Sequence, residues 1–363
     1  MLLRRRFPAA MHAHMHHYHP LTILPASDPA QILRYRDRQY SAELIAAALL
    51  HLDFFSWLHE NGGASSEVLV QHFSLAARPL DVLLTLCRAS DFLTTDSSDG
   101  HHLTTTGREY LVRDSPWYLG PYYSPIRETA IVTGYMQVLR TGRPANWQAK
   151  ADAADWHASM RDEIFARDFT ALMNCRGIVF GQHLARALTP HLGTRRRLLD
   201  VGGGSGIYSA AAVAAHPGLT AVVLEQAPVD AITRREIARH GLSDRVQVHT
   251  ADMFHGSWPE ADVILFSNVL HDWDYPEVRQ LLQKAAATLA PGGLLVIHDA
   301  FVSDDKSGPL PVAEYSALLM NITQGKCYSA AEYGAILRDL GFETGACVPN
   351  ISDRSFLTAV KQP

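Results

Sequence analysis

Leu198 to Ala215 reads LLDVGGGSGIYSAAAVAA: a short apolar run ends in Asp200-Val201-Gly202-Gly203-Gly204-Ser205-Gly206 and passes directly into helix-like sequence from Ile207. Glycines without side chains let a ligand approach the backbone, and a helix N-terminus turns unpaired N–H groups toward it. The spacing does not meet the dinucleotide fingerprint GxGxxG counted from Gly202, because Ile207 stands where its last glycine belongs. A nicotinamide dehydrogenase is disfavoured on that ground.

Outward from this turn, Ala221 to Glu225, Val246 to Thr250, Ala261 to Ser267 and Leu294 to Asp299 are further short apolar runs separated by helical stretches. Strands alternating with helices predict an α/β, Rossmann-like domain with a mostly parallel sheet and crossover helices. Ligands in such sheets bind beyond the carboxyl ends of the strands, so the residues closing each run carry the chemistry. Glu225, 19 residues after Gly206, can accept both hydroxyls of a ribose and would repel a 2′-phosphate. In Ala251-Asp252-Met253-Phe254, Asp252 suits the exocyclic amine of adenine, with Met253 and Phe254 against the ring faces.

The fourth run leads into Asn268-Val269-Leu270-His271-Asp272-Trp273-Asp274, and the fifth ends in His298-Asp299. His271, a histidine at a strand end beside a nucleotide crevice, is the candidate general base, with Asp299 to orient its imidazole. Strand alternation sends His298 and Asp299 to opposite faces, so only one of them joins the site. Two histidines and a carboxylate, His271, Asp272 and His298, could hold iron; with the two faces separated, no metal is expected.

Upstream the rhythm is helical. Ala42 to His59 is apolar on most faces, the signature of a helix buried between partners, and Leu44, Leu49, Phe54, Phe55 and Trp57 predict a homodimer that would cover them. Ser66 to His72, Pro79 to Ala89 and a hairpin turning at Asp96 to Gly100 complete a winged-helix arrangement. Its second helix offers only Arg88 as a cation, too little for phosphate contacts, so no nucleic acid partner is expected. Four units result: a flexible, histidine-rich arm over 1–27 with His12, His14, His16, His17 and His19; a winged-helix-like dimerisation domain over 28–123; a helical linker over 124–192; and the nucleotide-binding domain over 193–363. In the linker, Trp156, Met160, Phe165, Phe169 and Met173 recur at helical spacing. With Trp273, and with Met320 and Asn321 from the helix Val312 to Ile322, they are the candidate walls of an apolar acceptor pocket.

The chain has 363 residues, 47% of them hydrophobic, which excludes disorder for its bulk, and its 32 Lys plus Arg against 37 Asp plus Glu disfavour a polyanion partner. Cys87, Cys175, Cys327 and Cys347 lie far apart without a CxxC pair, and no apolar run is long enough to span a membrane. A cytoplasmic protein with reduced thiols and no membrane partner is expected.

DVGGGSG at Asp200 to Gly206, LE at Leu224-Glu225, ADMF at Ala251 to Phe254, VLHDW at Val269 to Trp273 and APGG at Ala290 to Gly293 together resemble one family in order and spacing. It is the class I S-adenosylmethionine-dependent O-methyltransferases of the plant caffeate and bacterial antibiotic-tailoring type, and the likeness runs from about residue 30 to the end. The resemblance implies S-adenosylmethionine as cofactor and S-adenosylhomocysteine as product, with Asp200, Gly202, Gly204, Glu225, Asp252, Met253, Phe254 and Ser267 around the cofactor. It implies His271 and Asp299 as catalytic residues and a small aromatic or polyketide-like acceptor methylated on a phenolic hydroxyl. Transfer to carbon, nitrogen or sulfur, or cofactor binding without methylation, is the alternative. Three positions depart from the plant pattern: Ser267 replaces a lysine, Asp299 a glutamate, and Ala330 a second glutamate of the histidine's carboxylate clamp.

Overall fold

The computed structural model describes residues 19–145 and 159–363. Trp156 and His12, His14, His16 and His17 lie outside the described residues.

The C-terminal half is built on a seven-stranded sheet ordered β6-β5-β4-β7-β8-β10-β9. Its strands are β4 Arg197–Val201, β5 Thr220–Glu225, β6 Val246–Thr250, β7 Ala261–Ser267, β8 Leu289–Asp299, β9 Phe342–Pro349 and β10 Ser355–Lys361. β6, β5, β4, β7 and β8 pair in parallel, whereas β10 runs antiparallel to both β8 and β9. The first four runs expected as strands are strands, to within a residue or so at their ends. β8 begins earlier than expected, and the antiparallel pair at the edge is additional.

The N-terminal half has the small sheet β1 Ala64–Ser65, β2 Leu93–Thr95 and β3 Gly100–Leu103, ordered β1-β3-β2. Around it stand α1 Ala30–Asp37, α2 Ser41–Leu50, α3 Phe54–Glu60, α4 Ser66–Phe73, α5 Ala77–Ala89, α6 Thr105–Leu111 and α7 Ala130–Thr141. The single helix expected over Ala42 to His59 is broken into α2 and α3, with Asp53 at φ 51° between them. The apolar residues expected to need a partner copy are satisfied inside this one chain: Leu44, Leu49, Phe54 and Phe55 are fully buried in a common core. The reason lies in sequence far away. After α8 Glu163–Ala187, α9 Ile207–Ala215, α10 Val229–Arg239 and α11 Tyr275–Thr288 comes α12 Leu310–Ile322, followed by α13 Ala330–Asp339. Ala313, Ala317 and Met320, spaced for one face of α12, belong to that N-terminal core, and Tyr135 Oη donates to the Ala317 carbonyl at 2.9 Å.

The pairing also covers α5. α5 is packed against α12, and Arg88 donates to the Lys306 carbonyl and to Thr95, so the helix that would enter a groove is an internal one. An ion cluster, Asp81 of α5 with Lys306, Lys326 and Glu332, ties the same helix to the C-terminal half. Residues 19–23, expected as part of the flexible arm, pack on the C-terminal half: Leu21 is buried, a His19 ring nitrogen lies 2.9 Å from the His240 carbonyl, and Gln182 donates to the Ile23 carbonyl. No single helix among the described residues is long and apolar enough to cross a membrane.

Candidate active site

A cavity with about 1570 Å³ of unfilled space, its open mouth included, lies at the carboxyl ends of β4, β5, β6 and β7. One half is backbone. Gly202, Gly203 and Gly204 line it, with Gly202 at φ 65° and Gly204 at φ 56°, conformations that strain any L side chain. A Cβ on Gly202 would press on Val269 and come near Met253, whereas one on Gly204 would stand in open space. Glu225 braces this turn, accepting from Gly204 N at 3.0 Å and from Gln226 N at 2.8 Å. Burial outweighs those two donors and lifts its carboxyl to about 7.

Sequence placement and spatial placement part company for three residues of this half. Asp200 is fully buried behind the turn rather than in the cavity lining. It accepts from Ser209 Oγ at 2.8 Å, its carboxyl is raised to about 6 by burial, and a Cβ on Gly203 would strike it. Ala251 and Met253 line the cavity, while Asp252 and Phe254 lie outside that lining. Asp252 Oδ1 accepts from the backbone of Phe254 and His255, and Phe254 packs edge-on to Trp273 with ring centres 4.7 Å apart.

His271 sits in a short 3-10 turn, Leu270–Asp272, just past β7. Its ring is buried, and Nδ1 is 2.5 Å from Asp299 Oδ1, which also accepts from Ala300 N at 2.8 Å. Burial alone would raise the Asp299 carboxyl, but the His271 ring and the Ala300 N–H hold it below the ordinary range. An ionised Asp299 accepts the Nδ1 proton and leaves the Nε2 lone pair for a substrate. Asp272 Oδ1 stands 3.6 Å from Nε2, too far for a hydrogen bond, and burial raises that carboxyl to about 6.

His298 faces the other side of β8, as alternation requires. Its Nδ1 is 2.8 Å from Ser267 Oγ, and burial pushes its ring down to about 3, so it is neutral. Glu332 does not replace the clamp carboxylate absent at Ala330: it closes a capping box with Ser329 and pairs with Lys306 and Lys326. Among the described residues no cluster of three or more His, Cys, Asp or Glu is arranged to hold a metal ion.

The other half of the cavity is side chains. Met160, Phe169 and Met173 line it as expected, with Trp273. Met320 and Asn321 do not: Met320 is buried in the N-terminal core, and both lie outside the cavity lining. Helix α12 turns Tyr315, Leu318, Leu319 and Ile322 inward instead, one step of helical phase away. Leu33, Arg36 and Asp37 of α1 and Arg176 of α8 were not legible as site residues. Nor was Gly325, where a Cβ would lie 2.0 Å from the His271 carbonyl oxygen; only glycine lets that loop support the histidine. Asn268, at φ 54°, ties Tyr208, Ser267 and Arg354 together at the cavity edge, and asparagine is among the side chains that tolerate this backbone.

Residues 135–343 match the O-methyltransferase domain family. The chain is 32% identical over 288 residues to the 3-hydroxy-5-methyl-1-naphthoate 3-O-methyltransferase of Streptomyces sahachiroi, covering 77% of this chain and 80% of the relative. It is 27% identical over 303 residues to the L-tyrosine C(3)-methyltransferase of Streptomyces lavendulae, covering 81% and 82%. Among solved structures, an O-methyltransferase family 2 protein of Planctomyces limnophilus in complex with apigenin superimposes with a TM-score of 0.83 at 29% identity, covering 94% of this chain and 98% of that one.

Proposed function

The chain belongs to the O-methyltransferase family, and from that premise we propose that it methylates a phenolic hydroxyl of a small aromatic or polyketide-like acceptor, with His271 as general base. The observation that carries this reading is the buried His271–Asp299 pair, whose free Nε2 edge stands in the same cavity as the glycine turn.

The residues present fit S-adenosylmethionine. Gly202 and Gly204 leave a cradle that side chains would fill, Glu225 offers carboxylate oxygens for ribose hydroxyls, and Met253 supplies a soft surface for the adenine. Ser267 lines the same edge, its hydroxyl fixed by His298. Asp252 and Phe254, outside the lining, serve by shaping the loop that presents Met253. When bound, the cofactor supplies a methyl group on a sulfonium that is its own leaving group. What remains for the protein is to aim the acceptor oxygen and take its proton. A phenol is intrinsically a far weaker acid than an imidazolium, so proton removal is coupled to transfer. Asp299 fixes the tautomer and offsets the charge that the imidazole gains. Holding the oxygen in line supplies on the order of 7 to 11 kcal/mol, and the apolar wall of Met160, Phe169, Met173, Trp273, Leu318 and Leu319 is what holds it.

Transfer of label from methyl-labelled cofactor to a panel of phenols is the test. No labelled phenol from a protein that binds S-adenosylhomocysteine would count against oxygen transfer. The kinship with a carbon-methylating relative makes carbon transfer the second reading. A cytoplasmic homodimer is part of the same proposal, resting now on the exposed Tyr110, Trp117, Leu119 and Tyr122 rather than on α2 and α3. Light scattering that gives a monomer at micromolar concentration would remove it.

A further inference from the structure

Arg176 lines the cavity, and neither the proton chemistry nor the cofactor cradle described above employs it. It is half-buried, and among the described residues no carboxylate lies within ion-pair distance of it. Its Nη1 donates to Tyr315 Oη at 3.3 Å, and its guanidinium carbon stands 5.9 Å from the ring centres of both Tyr315 and Phe180. The neighbouring Arg354 differs: it donates to Asn268 and has Asp37 3.7 Å away. Asp37 and Asp272, which line the same cavity, act on the guanidinium only from beyond ion-pair distance, so its donors remain open to an anion arriving in the cavity.

Tyr315 decides where that anion sits. It belongs to the α12 wall, and its ring meets His271 edge-on with centres 5.7 Å apart, so one side chain touches both the base and the guanidinium. Because Tyr315 Oη accepts the Arg176 proton, its own O–H is free to donate. Arg176 and Tyr315 therefore present several donors on the acceptor side of the base.

We propose that Arg176 and Tyr315 Oη hold a carboxylate carried by the acceptor, so that the substrates are hydroxyaryl carboxylic acids with the hydroxyl at His271 and the acid at Arg176. This assignment rests on the oxygen-transfer reading. It is tested with matched hydroxynaphthoic acids and hydroxynaphthamides, titrated by calorimetry into protein loaded with S-adenosylhomocysteine and also assayed with methyl-labelled cofactor. The acid is expected to bind at least about tenfold more tightly than its amide. Arg176→Gln abolishes the preference, Arg176→Lys keeps part of it, and S-adenosylhomocysteine affinity, which also reports folding, stays within about threefold. Equal affinity for acid and amide in the unaltered protein, or no binding of any acid at millimolar concentration, overturns the proposal without needing a variant. So does an Arg176→Gln protein that keeps the acid preference. If that variant instead loses about tenfold in S-adenosylhomocysteine affinity with the acid-to-amide ratio unchanged, Arg176 serves the cofactor's own carboxylate and the proposal fails. Acids that bind through Arg176 while no phenol takes label would break the oxygen-transfer reading and leave the carboxylate assignment standing.

Discussion

The two halves of the cavity are built on different principles. The cofactor half is mostly backbone: three glycines, a carboxylate holding the Gly204 N–H, and a methionine, all within a few residues of the ends of neighbouring parallel strands. The acceptor half is side chains from α1, α8 and α12, segments far apart in sequence and not hydrogen-bonded into the sheet. Backbone cradles admit one ligand shape and tolerate little change, whereas a wall of Met, Phe and Leu is remade by changing a few residues. The difference implies a cofactor site fixed by the fold and an acceptor site specified by contacts between distant segments.

His271→Ala separates the halves most sharply. Turnover is expected to fall by about a hundredfold or more while S-adenosylhomocysteine affinity by calorimetry hardly moves. Asp299→Asn should cost less, about tenfold, because the imidazole remains but can take the wrong tautomer. Near-normal turnover in His271→Ala would mean that the acceptor arrives ionised and the histidine only shapes the pocket.

Glu225→Ala probes the opposite half. Cofactor affinity should weaken by about 1 to 3 kcal/mol, the cost of leaving ribose hydroxyls and the Gly204 N–H unpaired, with acceptor affinity in the presence of saturating cofactor unchanged. Equal loss of both ligands would show that the halves are not independent.

Gly325→Ala tests the support shared between the domains, since Arg78 of α5 donates to the Gly325 carbonyl at 2.8 Å. Forcing a methyl against the His271 backbone should cost about 1 to 3 kcal/mol of stability in thermal melts and lower turnover, with cofactor affinity in the folded protein spared.

The smallest effect is a pH dependence. Without ligand, burial holds the Glu225 carboxyl at about 7, above its unfolded value of 4.5, so its contribution to stability declines as pH rises from about 4.5 to 7. Ribose hydroxyls favour the ionised form, so cofactor affinity should rise a few-fold between about pH 6 and 8 with proton release, and Glu225→Gln should flatten the curve. A flat curve in the unaltered protein would place the ribose elsewhere.

Legibility in the sequence follows the same division. DVGGGSG, Leu224-Glu225 and the end of β7 could be placed because a strand, its end and the following turn are contiguous in the chain, and period-two alternation put His298 and Asp299 on opposite faces. The antiparallel pair was missed because β9, at the edge, is largely exposed and mixed in composition, and the apolar run Phe356 to Val360 of β10 is short and interrupted by Thr358.

By itself, then, the sequence determined an α/β sheet of parallel strands with a glycine turn, a carboxylate and a histidine at successive strand ends, since each depends on neighbours along the chain. Tertiary structure decided the rest. Which face of α12 meets the N-terminal core and which meets the cavity separates Met320 from Leu319, adjacent residues of one apolar helix. Helical phase against a distant partner is a property of packing rather than of local pattern. The same packing buries Leu44, Leu49, Phe54 and Phe55 within the chain and sets Arg176 against Tyr315 with no carboxylate of the described residues at ion-pair distance, because both outcomes depend on which remote segments fill the surrounding space.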